Sequence, residues 1–85
     1  MSQKEKLLKR LLSRPSDFTF DEAEALLNMF GYERRNKGRT SGARVLFYKE
    51  KSNHKIMLHK PHPRKVLPLY AVDDIIRGLK EGGNI

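Results

Sequence analysis

The sequence predicts an α+β domain with two helices, a three-stranded antiparallel sheet and a closing helix. Three observations lead there. Leucines recur at helical spacing near the N-terminus and again over residues 20–30. Strand patterns follow over residues 43–48, where Val45 and Phe47 share one face, and over residues 54–59, where Ile56 and Leu58 do. A helical apolar stripe returns over residues 70–81 and stops at Gly82 and Gly83.

Each element has a local cause. In residues 3–13, Leu7, Leu8, Leu11 and Leu12 form one stripe, with lysines and arginines on the other side. Ser2 is placed to cap this helix and Pro15 to stop it. The stripe is most simply core, and a partner-binding surface is the alternative. Thr19-Phe20-Asp21-Glu22 has the spacing of a capping box, with its acids in the first turn where the helix dipole favours them. The second helix carries Ala23, Leu26, Leu27 and Phe30, and Gly31 stands where a left-handed residue closes it. Residues 32–35 read as a short strand, and residues 36–42 as a cationic, glycine-containing loop. Residues 43–48 form the clearest strand, with Val45 and Phe47 on one face. Lys49 to Asn53 is a polar turn that includes no strand signal, and His54 reads as a solvated residue beside it. In the strand 54–59, Ile56 and Leu58 point one way and Lys55, Met57 and His59 the other. Short connections favour an antiparallel meander. Pro61 and Pro63 keep residues 60–65 out of the sheet. In the last helix Val72, Ile75, Ile76 and Leu79 face the core, and Asp73 and Asp74 fall in the expected first turn. Helices covering one sheet face would leave Arg44, Leu46, Tyr48, Lys55, Met57 and His59 on the other.

The charge is as uneven as the pattern is regular. The 85 residues hold 18 basic and 10 acidic side chains, a net charge of +8. Residues 34–65 contain 11 of the bases and one acid, for +10, while the remainder nets −2. Such crowding repels itself, and a polyanion relieves it. Arg34, Arg35, Lys37, Arg39, Arg44, Lys55, Lys60, Arg64 and Lys65 therefore read as phosphate contacts, against the alternative of a solvated charged face. Tyr48 and Tyr70 offer rings for bases, though packing is the simpler role for both. With no cysteine, disulfides and thiolate metal sites are excluded, which fits a reducing cytoplasm. No apolar run reaches the roughly 20 residues of a membrane span, and the N-terminus is too charged for a secretory signal. No membrane role is expected, because no basic amphipathic helix carries the excess charge.

The α-β-β-β-α order with basic loops resembles the double-stranded-RNA-binding fold, here with an extra helix in residues 1–15 ahead of a core from 19 to 85. Four segments in that core carry a more particular resemblance. They are Leu27-Asn28-Met29-Phe30-Gly31-Tyr32, then Lys37-Gly38 leading to Ser41-Gly42-Ala43-Arg44-Val45-Leu46-Phe47-Tyr48, then Leu58-His59-Lys60-Pro61-His62-Pro63, and finally Ile75-Ile76-Arg77-Gly78-Leu79-Lys80. In order and spacing they are similar to the HicA toxins, small mRNA interferases paired with HicB antitoxins. The resemblance implies a metal-independent endoribonuclease without cofactor. Its expected partners are mRNA and a HicB-type antitoxin protein, and a heterotetramer with the antitoxin is one assembly it allows.

One position departs from that family. Aligning Gly42 and Phe47 with the family's motif puts Arg44 where the catalytic histidine stands. Arginine stays protonated at neutral pH and cannot act as a general base, but it can hold a phosphate bidentately. His59 and His62 are the candidates for the acid–base role, since imidazole titrates near neutrality. The alternatives are a half-buried strand end for His59 and a ring packed between prolines for His62. A metal held by this pair is disfavoured by the missing third ligand and the surrounding cations. The expected catalytic set is thus Arg44, His59 and His62. The competing function is a non-catalytic RNA- or antitoxin-binding module, and the weakest is recruitment of an acidic protein.

Overall fold

The computed structural model describes residues 2–35, 44–59 and 65–85, with Arg44 described by its backbone only. Helix α1 spans Gln3–Leu12, α2 spans Phe20–Met29 and α3 spans Leu69–Glu81. Strands β1 (Glu33–Arg34), β2 (Arg44–Lys49) and β3 (His54–His59) form one antiparallel sheet in the order β1-β2-β3. The α+β class and the meander agree with the sequence reading. Among the described residues no helix is long and apolar enough to cross a membrane.

The helix ends follow the local chemistry. Ser2 accepts the Glu5 N–H at 3.2 Å and starts α1. At its other end Arg14 adopts φ 52 and turns the chain before Pro15. In α2, Thr19 Oγ1 accepts the Glu22 N–H at 3.1 Å, and Glu22 Oε1 accepts the Thr19 N–H at 2.9 Å. Both halves of the capping box are therefore made. Gly31, at φ 96, closes α2: its N–H donates to Asn28 O at 3.0 Å and the Tyr32 N–H donates to Leu27 O at 2.9 Å. Only a residue without a Cβ takes that left-handed turn at little cost. Helix α3 ends in the same way, with Gly83 donating to Lys80 O and Asn84 to Leu79 O.

A single layer of helices covers the sheet. Leu7 and Leu11 of α1 are buried, Leu8 packs against the core, and Leu12 is 47% exposed. The leucine stripe is thus mainly core, and α1 packs on α2 and α3. Phe18, Leu26, Leu27, Ile75 and Leu79 join it from the helical layer, and Val45, Phe47, Ile56 and Leu58 from the sheet. Burying each side chain of this size contributes about 1.5–3 kcal/mol, which outweighs any surface ion pair on the molecule. An isolated bridge, Thr19 to Val66, ties the approach of α3 to the start of α2; Phe20 N–H donates to Lys65 O and Leu67 N–H to Phe18 O.

Two expectations are corrected. Helix α3 begins at Leu69, after Pro68 holds an extended N-cap, so Asp73 and Asp74 do not lie in its first turn. A tertiary partner accounts for Asp73 and a neighbour on the same helix for Asp74. Asp73 takes a two-bonded contact from Arg14 at 2.7 and 3.0 Å, and Asp74 pairs with Arg77 at 2.7 Å. The second correction is His54, which is half-buried rather than solvated. Its parity in β3 puts it on the helix-covered face with Ile56 and Leu58. There its Nδ1 lies 2.6 Å from the hydroxyl of Tyr32, which is 1% exposed. Asn84 donates to the same hydroxyl at 2.9 Å, and Lys49 donates to Asn84 Oδ1 at 2.6 Å. This chain of polar contacts fastens the C-terminal residues to the end of the sheet. Burial raises the pKa of the Tyr32 phenol, since the phenolate would lose its water.

Gly82 is where that fastening is tightest. A Cβ there would stand 2.7 Å from Tyr32 Oη, 2.8 Å from Asn84 Nδ2 and 2.9 Å from His54 Nδ1. Gly82→Ala should therefore destabilise the fold by about 1–3 kcal/mol, read as a lower urea midpoint with an unchanged m-value. A second expectation concerns Glu22, whose carboxyl is held below its ordinary value near 4.5, first by the Arg10 hydrogen bond and then by Thr19, against some burial. A depressed carboxylate pKa adds stability above the unfolded pKa and loses it as pH falls through the folded one. The stability gap between the wild type and Glu22→Gln should thus be full at pH 6 and shrink below about pH 4.5, measured by chemical denaturation at each pH.

Candidate nucleic-acid interface

The face of the sheet opposite the helices is built by register. Glu33, Tyr48 and Lys55 are aligned across the three strands, and Leu46 is the partner of Met57. Arg35, just past β1, donates its backbone N–H to Leu46 O at 2.7 Å and so continues that second row. At the far end of the sheet Arg44 is the Cα partner of His59. Because Val45, Phe47, Ile56 and Leu58 are buried, the alternate residues Lys55, Met57 and His59 are exposed, and Leu46 and Tyr48 are half-covered. The predicted open face is therefore present at each of these described positions.

A shallow depression of about 290 Å³ opens between the first two rows, lined by Arg35, Leu46, Tyr48, Asn53 and Lys55. The Arg35 guanidinium lies 5.4 Å from the centre of the Tyr48 ring, an ordinary cation–π distance. It also reaches Glu33 and Glu50, each at 3.5 Å, contacts that are long and solvent-exposed. The Tyr48 hydroxyl donates to Asn53 Oδ1 at 2.5 Å, which holds the ring toward the β2–β3 turn. Asn53 itself sits at φ 53, a conformation asparagine tolerates better than most residues.

The sequence-predicted residues divide. Arg35, Lys55 and His59 are exposed on or beside the open face, and the register brings Arg44 next to His59. Arg34 lies elsewhere. As the partner of Phe47 it belongs to the helix side, where its guanidinium is 3.7 Å from Glu24 of α2. Lys65 is exposed and belongs to the bridge with residues 18–20, not to the sheet. Lys37, Arg39, Lys60, His62 and Arg64 lie outside the described residues. Tyr70 is 65% exposed on α3, away from the sheet. His59 is exposed and not half-buried.

No protein-family model matches the chain. Neither a curated protein nor a solved structure matches it. What the face can do is therefore judged from its own chemistry. Among the described residues no three His, Asp or Glu side chains gather as a metal set. The face instead combines donors, an aromatic ring and apolar ground, a set that suits a single nucleic-acid strand. Sequence reading missed Asn53, whose only signal was its place in a polar turn.

The division of Arg34 from Arg35 is testable. Arg35→Ala should lower affinity for a single-stranded polyanion several-fold and flatten the salt slope by about 0.7. Arg34→Ala should leave both nearly unchanged. Fluorescence anisotropy over a salt series separates the two.

Proposed function

We propose that this protein is an RNA-binding toxin of a type II toxin–antitoxin system, a HicA-like mRNA endoribonuclease that acts in the cytoplasm and is silenced by a HicB-type antitoxin. The observation that carries the reading is the open sheet face, with the Arg44–His59 pairing at one end and the Arg35–Tyr48–Lys55 cluster at the other. The element order, with two helices ahead of the sheet and one behind it, supports a double-stranded-RNA-binding-like fold.

In this reading a phosphodiester crosses the end of β2 and β3. RNA cleavage without a metal proceeds by attack of a 2′-oxygen on the adjacent phosphorus, with rupture of the bond to the 5′-oxygen. One group takes the 2′-OH proton and another returns a proton to the leaving oxygen, so a 2′,3′-cyclic phosphate and a 5′-hydroxyl result. His59 is assigned one proton transfer and His62 the other. Arg44 is assigned the phosphorane charge, which a guanidinium can neutralise. The silencing partner would be acidic, as a match to the concentrated positive charge of residues 34–65.

The identity of Arg44 favours a second reading. Where an arginine occupies the position of a general base, a domain that binds RNA or antitoxin without turnover is chemically sufficient. Purified protein incubated with labelled RNA in EDTA decides between them. Cleavage should leave 2′,3′-cyclic phosphate ends, and His59→Ala or His62→Ala should reduce its rate by about 100-fold or more. Arg44→Ala should slow it while leaving the pH profile in place. Retained RNA binding with no cleavage by the wild type would favour the binding module instead.

A further inference from the structure

We infer that the outer edge of β3 is a docking site for an acidic, extended segment of a partner protein, which joins the sheet as a fourth strand alongside Lys55, Met57 and His59. The inference rests on the acidic-partner part of the reading above and gives that partner a place and a backbone geometry.

One bond fixes the direction of the backbone groups in β3. In an antiparallel sheet a residue turns its N–H and C=O together toward one neighbouring strand, and the next residue turns them toward the other. Arg35 N–H donates to Leu46 O, so Leu46 is turned toward β1. Val45, Phe47 and Lys49 are then turned toward β3, where their partners are Leu58, Ile56 and His54. Lys55, Met57 and His59 are left with N–H and C=O groups turned away from β2, along the outer edge. Among the described residues β3 pairs with β2 alone, and no backbone group reaches those of Lys55, Met57 or His59.

Sheets commonly blunt such an edge by shortness, proline, a bulge or a cover. The opposite edge is blunt, because β1 is two residues long. β3 is not: its six residues pair with β2 in unbroken register and include no proline. Helix α3 holds it from beneath, so closely at Gly78 that a Cβ there would stand 3.0 Å from Ile56 Cγ1. The edge is therefore a preordered template, and main-chain bonds to a template of this kind are what give strand addition its affinity.

Charge selects the occupant. The 11 bases and one acid of residues 34–65 surround this edge in sequence, and the whole chain carries +8, so a second copy would bring like charge to it. An acidic strand gains from the same field. With acids and apolar residues in alternation, its carboxylates stand beside exposed Lys55 and His59 on the open face. Its apolar residues then fall on the helix side, next to Ile56 and Leu58. Nucleic acid would match the charge, but it has no amide ladder to pair with the edge.

A labelled synthetic peptide alternating glutamate and valine is the probe, read by anisotropy at low salt and by amide hydrogen exchange of the full chain followed by NMR. At about ten times its Kd it should slow exchange at the amides of Lys55, Met57 and His59 about tenfold. N-methylation of the glutamate amides removes the bonds of antiparallel addition, and N-methylation of the valine amides those of parallel addition. One of these two peptides should therefore lose affinity about tenfold or more, and the other little. Met57→Pro removes an outward N–H and spares the ladder to β2; with melting followed to confirm folding, it should weaken the unmodified peptide several-fold. Binding that leaves the three amides fast, or that suffers equally from both methylations, places the peptide elsewhere on the cationic surface and overturns the edge site. A uridine hexamer that slows the same three amides assigns the edge to nucleic acid and overturns it too. Failure of the glutamate peptide to bind at low salt overturns the edge site and leaves the RNA-cleavage assay to stand or fall by itself, just as a failed cleavage assay leaves the peptide result in place.

Discussion

Everything on this molecule depends on the alternation of β2 and β3 beneath one layer of helices. Val45, Phe47, Ile56 and Leu58 are nearly fully buried, and they can be so only if the intervening residues face away. A slip of one residue would drive Lys55 and His59 into the core, where unpaired charge and polar groups cost several kcal/mol. The apolar half of each strand thereby imposes the arrangement of the polar half. Packing and the candidate site are two outcomes of the same period.

The helical layer holds that arrangement by different means at its two ends. At the α1–α2 end, Arg10 joins Glu22 at 2.8 Å and Asp17 at 3.1 Å, so one guanidinium links a helix, a connection and a capping box. At the other end the link is partly buried and mostly uncharged, running from Lys49 through Asn84 and Tyr32 to His54. No buried side-chain polar atom among the described residues lacks a partner. The charged link is exposed to screening, whereas the buried one depends on complementarity of donors and acceptors. Neither lies on the open face, which leaves Lys55, Met57 and His59 free of structural duty in the core.

Local signals were legible where the physics is local. The capping box at Thr19 and Glu22 and the left-handed Gly31 could each be read from fewer than seven adjacent residues, because each is closed by contacts within the same segment. His54 was misread for the opposite reason. Its partner Tyr32 is 22 residues away and reaches it only once β1, β3 and the C-terminus are assembled. Asp73 was placed by a rule about helix dipoles, but an arginine 59 residues earlier accounts for it. Arg34 and Arg35 are adjacent and alike in composition, and nothing in their residue type says which faces Glu24 and which faces Tyr48. Of the expected site, His59, Lys55 and Arg35 emerge together, with Arg44 beside His59 by register alone.

The sequence by itself determined the α+β class, the order of the elements, the ends of the first two helices and the concentration of positive charge in residues 34–65. These depend on spacing, capping chemistry and composition, which act within a few residues or simply add up along the chain. Tertiary structure alone decided which cations share a surface, how Asn53 turns Tyr48 into one wall of a depression, and why His54 lies under the helices. Those are matters of register and of long-range contact, and a strand pair assigns them only when its apolar side has found the helices that cover it.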